Sequence, residues 1–219
     1  MSLKKFNVTG GVYLVVDPSM EWNYLFHQLE QALESRKIAI VQIWNYWKNV
    51  KNKEQLITKV IQTAHHYDVP VFINEDWELL KKYPLDGIHF DAIPVDFDAI
   101  KMSVGRPFLT GITISNDLQV LEWAEANGCD YVSFCSVFPS SSAGVCEIVH
   151  PETLIAARQM TSMPLFVSGG LTLENMSSLP GDTFDGIAII SGIMKHSEPA
   201  VSARNFYKAL TRFKQLLTF

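Results

Sequence analysis

Two short stretches of this 219-residue chain have the composition of anion-binding turns, Ser168-Gly169-Gly170 and Ile190-Ser191-Gly192. Glycine lets backbone N–H groups approach an anion closely, a helix N-terminus adds favourable partial charge, and the Ser191 hydroxyl adds a donor. Turns also use glycine for steric reasons alone, so each stretch taken singly has both readings. A third stretch, Gln42-Ile43-Trp44-Asn45-Tyr46-Trp47, concentrates three aromatic side chains. Trp44 and Tyr46 are two residues apart, so on an extended chain they share one side, about 6.5–7 Å from each other. They form either a wall for stacking on a heteroaromatic ring or packing within a loop. His89 is a candidate acid or base; the alternative, a structural histidine hydrogen-bonded inside the fold, is the favoured one.

These residues sit at the ends of short apolar runs. The runs Val12–Val16, Ile38–Ile43, Val69–Ile73, Gly87–Phe90, Phe108–Thr113, Tyr131–Phe134, Leu165–Ser168 and Ile187–Ile190 are nearly continuous in Val, Ile, Leu and Phe. That is the pattern of strands buried on both faces, as in a parallel sheet. Helical periodicity fills the gaps, with Leu56, Val60, Ile61 and Ala64 on one face of 53–67. Asn116 or Asp117 can cap a helix through Ala126 that Gly128 closes, and Ser197 can cap a last helix towards Leu217. The stretch 90–101 predicts only a short or irregular helix. Eight strand–helix units in this length predict an α/β fold, a single (β/α)₈ TIM barrel occupying residues 1–219 as one domain. A doubly wound sheet is the alternative, but strand one runs into Asp17-Pro18-Ser19 with no glycine-rich fingerprint. In a barrel the two glycine stretches follow strands seven and eight, where phosphate is commonly held, and that coincidence favours the anion reading. The long loop from Ser136 to His150 carries Ser140-Ser141-Ser142-Ala143-Gly144 and predicts a lid or binding loop.

Composition narrows the partners. Lys plus Arg is 18 and Asp plus Glu is 23, a net charge of −5 with no basic run, which argues against nucleic acid and anionic membranes. No apolar run is long enough to span a bilayer, and no secretion signal is expected at the N-terminus. Cys129, Cys135 and Cys146 are odd in number and match neither a disulfide framework nor a CxxC metal pair, so reduced thiols and a cytoplasmic setting are expected.

In order along the chain, Tyr13-Leu14-Val15-Val16-Asp17, Ile73-Asn74-Glu75-Asp76-Trp77-Glu78-Leu79, Asp86-Gly87-Ile88-His89, Gly128-Cys129-Asp130-Tyr131-Val132, Val137-Phe138-Pro139, Ser168-Gly169-Gly170-Leu171 and the run from Asp185 to Gly192 resemble the thiamine phosphate synthase superfamily, which includes the thiazole tautomerases. The resemblance runs from strand one to strand eight. It implies a barrel that couples a pyrimidine pyrophosphate to a thiazole phosphate with Mg²⁺. It implies substrate binding by Gln42, Asn74, Ser140, Ser142, Gly169, Gly170, Ile190, Ser191 and Gly192, with Trp44 beside them. Glu75 and Asp91 stand as Mg²⁺ ligands, Thr113 at a hydroxyl position of the reaction centre, and His89 as the histidine at the barrel mouth. A homo-oligomer is compatible with this reading.

The same resemblance exposes three departures. The superfamily's Gln-x-Arg-x-Lys places Trp44 at the Arg position and Tyr46 at the Lys position, and Ala143 stands where a Lys follows the Thr-x-Thr hydroxyls. Indole and phenol cannot replace charged donors to pyrophosphate. The second metal carboxylate aligns with Pro94 without gaps, or with Asp91 if the loop is two residues shorter. The tautomerases need only the thiazole phosphate, but they place a histidine where Ser115 stands here. Three functions therefore compete: a synthase, a tautomerase-like isomerase, and a non-catalytic paralogue binding a phosphorylated thiazole or thiamine phosphate.

Overall fold

A computed structural model describes residues 6–140 and 147–215. All eight expected strands are present and close into a parallel barrel in sequence order. They are β1 (Gly11–Val16), β2 (Ile38–Ile43), β3 (Val71–Asn74), β4 (Gly87–Phe90), β5 (Leu109–Ile114), β6 (Tyr131–Cys135), β7 (Leu165–Ser168) and β8 (Gly186–Ile189). Six connections carry α1 (Trp22–Glu34), α2 (Lys53–His66), α3 (Leu79–Lys82), α4 (Phe97–Val104), α5 (Gln119–Ala126) and α6 (Pro151–Met160). The short α7 (Ser191–Met194) and the long α8 (Pro199–Gln215) follow β8. The connection from β7 to β8 departs from the repeating unit: it holds two 3₁₀ turns, Met176–Ser178 and Gly181–Thr183, and no α-helix.

One local expectation is corrected and another, the short helix near residue 100, is met. Neither Asn116 nor Asp117 is the N-cap residue of α5, which is Leu118. Asp117 instead accepts from the Gln119 N–H, while Asn116 accepts from the His150 N–H and the Thr153 hydroxyl, tying two loops together. The weak stretch near residue 100 forms two regular turns because Asp96 caps Ala99 and Gly105 closes the helix at φ 66°.

The barrel axis is filled by aromatic rings. Tyr13, Phe72, Tyr131 and Phe166 are all essentially unexposed and pack edge-to-face, with Tyr131 and Phe166 centroids 5.2 Å apart. Strand glycines make the room. A Cβ on Gly111 would lie 2.0 Å from the Tyr131 ring, and one on Gly186 would lie 2.2 Å from the Phe166 ring. Gly111→Ala is therefore expected to lose about 1–3 kcal/mol or more through overpacking, read as a lowered denaturant midpoint.

The other end of the barrel repeats one device at three alternate strands. Asp86, Asp130 and Asp185 precede β4, β6 and β8, and each carboxylate accepts the N–H of the residue opening or entering the preceding strand: Val71, Thr110 and Leu165. Each otherwise orphaned donor is satisfied at the point where the ladder begins. Arg158 adds an ion pair of 2.8 Å to Asp185. These carboxylates anchor the strand starts, while the inward-facing polar side chains gather towards the C-terminal ends of the strands.

Candidate functional site at the barrel mouth

Strand alternation decides which side chains point inward. On β5, Gly111 faces the axis, so Thr113 does too, one step nearer the mouth. By the same alternation Tyr13, Gln42, Asn74, His89 and Tyr131 face inward from β1, β2, β3, β4 and β6. Four of these side chains and Thr113 join in one chain of hydrogen bonds across the barrel. The Tyr13 hydroxyl donates to Gln42 Oε1 at 2.6 Å and lies 2.8 Å from the Tyr131 hydroxyl. Tyr131 lies 2.9 Å from His89 Nδ1, and His89 Nε2 lies 2.8 Å from Thr113 Oγ1. Burial holds the Tyr13 and Tyr131 hydroxyls far above their usual range and pushes His89 down to about 4. His89 is thus neutral near pH 7, as a structural histidine would be.

That shift has a consequence for stability. The unfolded chain binds a proton at His89 below its ordinary 6.5, while the folded chain resists protonation until about 4. Stability from this group is complete above about 6.5 and is lost as pH falls towards about 4. Between pH 7 and 5 the native protein should lose about 2 kcal/mol more than a His89→Gln variant, measured by denaturant unfolding.

Asn74 is 1% exposed and fully engaged. Its Nδ2 donates to the His89 carbonyl at 3.2 Å and to Asp91 Oδ1 at 2.9 Å, and its Oδ1 accepts from the Asn45 N–H. It locks the loops after β2, β3 and β4 together. Glu75, in the left-handed region at φ 62°, accepts the Asp91 N–H. Glu75 and Asp91 are both held above the usual carboxylate range, chiefly by burial, and the Asp91 charge raises Glu75 further. Among the described residues no group of three or more acidic, His or Cys side chains gathers to hold a metal. Two partly desolvated carboxylates still suit Mg²⁺, which takes one or two carboxylates and completes its shell with water and substrate oxygens.

Trp44 follows β2, and its N–H continues the ladder to the Val16 carbonyl. It packs on the same axial cluster as Tyr13, Phe72 and Tyr131, and Ile190 packs on that cluster as well. Its ring stacks on Tyr46 at 5.2 Å and 24°. β2 ends at Ile43, so both rings belong to the loop after the strand, where they pack on each other and Tyr46 lies 39% exposed. Among the described residues nearby, Lys53 opens α2, sits over the Trp47 ring and pairs with Asp76 at 2.6 Å, while Lys48 and Lys51 are exposed.

Across the mouth, Gly169 and Gly170 follow β7 at φ 87° and 64°. Both have steric work: a Cβ on Gly169 would lie 1.8 Å from Ser136 Oγ, and one on Gly170 would lie 2.4 Å from the Pro139 carbonyl oxygen. These glycines seat the loop after β6 against the loop after β7. Ile190 is the N-cap of α7, exposed Ser191 is its first residue, and Gly192 accepts the Ser202 hydroxyl at 2.7 Å. Ser140 is half-buried beside Pro139, while Ser142 and Ala143 lie outside the described residues.

Inward-facing Gln42, Asn74, His89 and Thr113 lie on one side of the mouth with Glu75 and Asp91 in the adjoining loops, and Gly169, Gly170, Ile190 and Ser191 follow β7 and β8. A profile of the family described as thiamine monophosphate synthase matches residues 12–193, which spans every one of these positions. The chain belongs to the thiamine monophosphate synthase family. It is 28% identical to the thiamine-phosphate synthase of Thermoplasma acidophilum over 205 residues, 93% of each chain. It is 32% identical to that of Bacillus velezensis over 158 residues, 71% of this chain and 70% of that one. A thiamine phosphate pyrophosphorylase structure from Pyrococcus furiosus superposes with a TM-score of 0.75 at 19% identity, covering 93% of this chain and 96% of that one, which confirms the barrel. No helix among the described residues is long and apolar enough to cross a membrane.

Sequence reasoning missed the two residues that link this family member's polar chain. Tyr13 and Tyr131 read as strand aromatics, and the available signal was a hydroxyl in each of two otherwise apolar strands.

Proposed function

We propose that this protein is a thiamine phosphate synthase-type barrel that retains the ring-binding and single-phosphate half of its site and has altered the pyrophosphate half. The observation carrying this reading is the Trp44–Tyr46 stack, with Trp44 packed on the axial cluster, at positions where the family resemblance expects cations. The favoured ligand is a flat heteroaromatic ring with one phosphate, as in a phosphorylated thiazole or thiamine phosphate. Trp44 flanks the ring, Gln42 and Thr113 provide polar edges at the mouth, and buried Asn74 holds the loops around them in place. The phosphate faces the backbone of Gly169 and Gly170 and the hydroxyls of Ser140 and Ser191. Glu75 and Asp91 would hold Mg²⁺, which supplies neutralising charge to substrate oxygens. These carboxylates resist ionisation more than free ones do, so metal binding at this pair should strengthen as pH rises.

Parallel calorimetric titrations test the reading. Thiazole phosphate and thiamine phosphate are expected to bind at least about tenfold more tightly than pyrophosphate with Mg²⁺. Tighter binding of pyrophosphate than of either monophosphate would overturn it. A tautomerase-like isomerase is less well supported, because Ser115 follows β5 and buried His89 is spent on two hydroxyl partners.

A further inference from the structure

A hollow of about 400 Å³ lies at the opposite end of the barrel from the mouth, between the starts of β1 and β2 and one face of α8. Both strands are six residues long, so about 20 Å of sheet separates it from the mouth. One side is apolar, formed by Ile38, Ala39 and Leu210 with the Tyr207 ring beside them. Two consecutive cations, Arg36 and Lys37, line it as well, and Thr9 adds a hydroxyl. The Arg36 guanidinium lies 4.7 Å from the Tyr67 ring centre, and the Lys37 ammonium lies 4.6 Å from that of Tyr207. Ring faces hold cations in place without neutralising them. Among the described residues neither cation pairs with a carboxylate, whereas Lys53, Lys81, Lys101 and Arg158 all do. The carboxylate of the hollow, Asp185, faces Arg158 at 2.8 Å and accepts the Leu165 N–H at 3.0 Å, so its charge is already met.

The backbone at Arg36 adds an independent observation. Arg36 follows the C-cap of α1 at φ 54°, and its N–H bonds the Leu33 carbonyl at 3.0 Å. This left-handed closing position is the one that glycine fills without steric cost. A side chain there strains the backbone, and such strain persists where the surroundings or a function require it. The chain thus carries a guanidinium at a turn that would close more easily with no side chain.

We propose that this hollow is a second ligand site, for a small aromatic phosphate monoester. The phosphate oxygens meet the Arg36 guanidinium and the Lys37 ammonium together, an arrangement suited to a group with several anionic oxygens. The ring lies against Tyr207, Ala39 and Leu210. The volume is within the ordinary range for small-molecule sites, and the lining has their usual character, an apolar wall with a few placed polar groups. The site does not depend on the function proposed for the mouth.

The test is a titration of the whole protein, labelled with ¹³C at alanine and threonine methyls, with phenyl phosphate. Ala39 and Thr211 line the hollow and report on it, and Thr113 reports on the mouth; each signal is assigned by its loss on substitution by serine. Saturable shifts are expected at Ala39 and Thr211. Lys37→Met and Arg36→Gly should each weaken that response about tenfold or more, with the Thr113 signal unaffected by either change. Arg36→Gly relieves the left-handed strain, so its denaturant midpoint should equal or exceed the native one, which separates lost binding from lost folding. Inorganic phosphate and phenol should each bind the hollow at least about tenfold more weakly than phenyl phosphate. Silence at Ala39 and Thr211 overturns the inference, as does unchanged affinity in both variants or equal binding of inorganic phosphate. A lowered midpoint in Arg36→Gly also overturns it, because Arg36 would then serve the fold. Shifts at Thr113 alone place the compound at the mouth, which overturns the second site and leaves the proposed function standing.

Discussion

Condensation of a pyrimidine pyrophosphate with a thiazole phosphate is expected to run with this protein far below about 1 per second, the low end of ordinary enzyme turnover. A departing pyrophosphate must be met by cations or bidentate donors, and each charge-assisted hydrogen bond contributes roughly 1.5–3 kcal/mol. Trp44, Tyr46 and Ala143 supply none of the three that the family resemblance expects. Three such losses correspond to a reduction of roughly 10³-fold or more. Lys53 is a poor substitute because Asp76 already takes its charge at 2.6 Å. A single-turnover assay with both substrates and Mg²⁺ checks this. Turnover in the usual range would show that Lys48 or Lys51 reaches the leaving group, and alanine at those positions would then abolish it.

The barrel was legible because strands buried on both faces are written as continuous apolar runs, and all eight were found within about two residues of their ends. The β7–β8 connection was not, because the stretch 176–183 closes two separate 3₁₀ turns around Leu179 and Pro180 with no period to read. At the site, residue types were visible but their partners were not. Asn74 reads as a ligand-contacting amide, yet its donors go to His89 and Asp91, a choice made by the register of β3 on β4. Gly169 and Gly170 read as an anion turn, yet the loop after β6 gives each a steric reason to lack a side chain. The paired tyrosines escaped notice because a hydroxyl at the barrel axis matters only once strands β1 and β6 face each other, a relation no local pattern encodes.

Trp44→Arg is expected to exchange one ligand preference for the other. The native indole packs on the axial cluster and stacks on Tyr46, and on the proposed function it flanks the ligand ring. Stacking on a ligand ring contributes roughly 0.5–1.5 kcal/mol beyond burial, so its loss should weaken a ring monophosphate by about 2–10-fold. The guanidinium brings a fork of donors suited to phosphate oxygens, worth roughly 1.5–3 kcal/mol, so pyrophosphate with Mg²⁺ should gain about 10–100-fold. Arginine can also lie flat on Tyr46, which keeps its stem over the apolar rim and its head towards the mouth. Calorimetry on the variant with both ligands decides the matter. If both affinities stay at their native values, residue 44 does not meet the ligand, and the aromatic pair serves only to plug the end of the barrel.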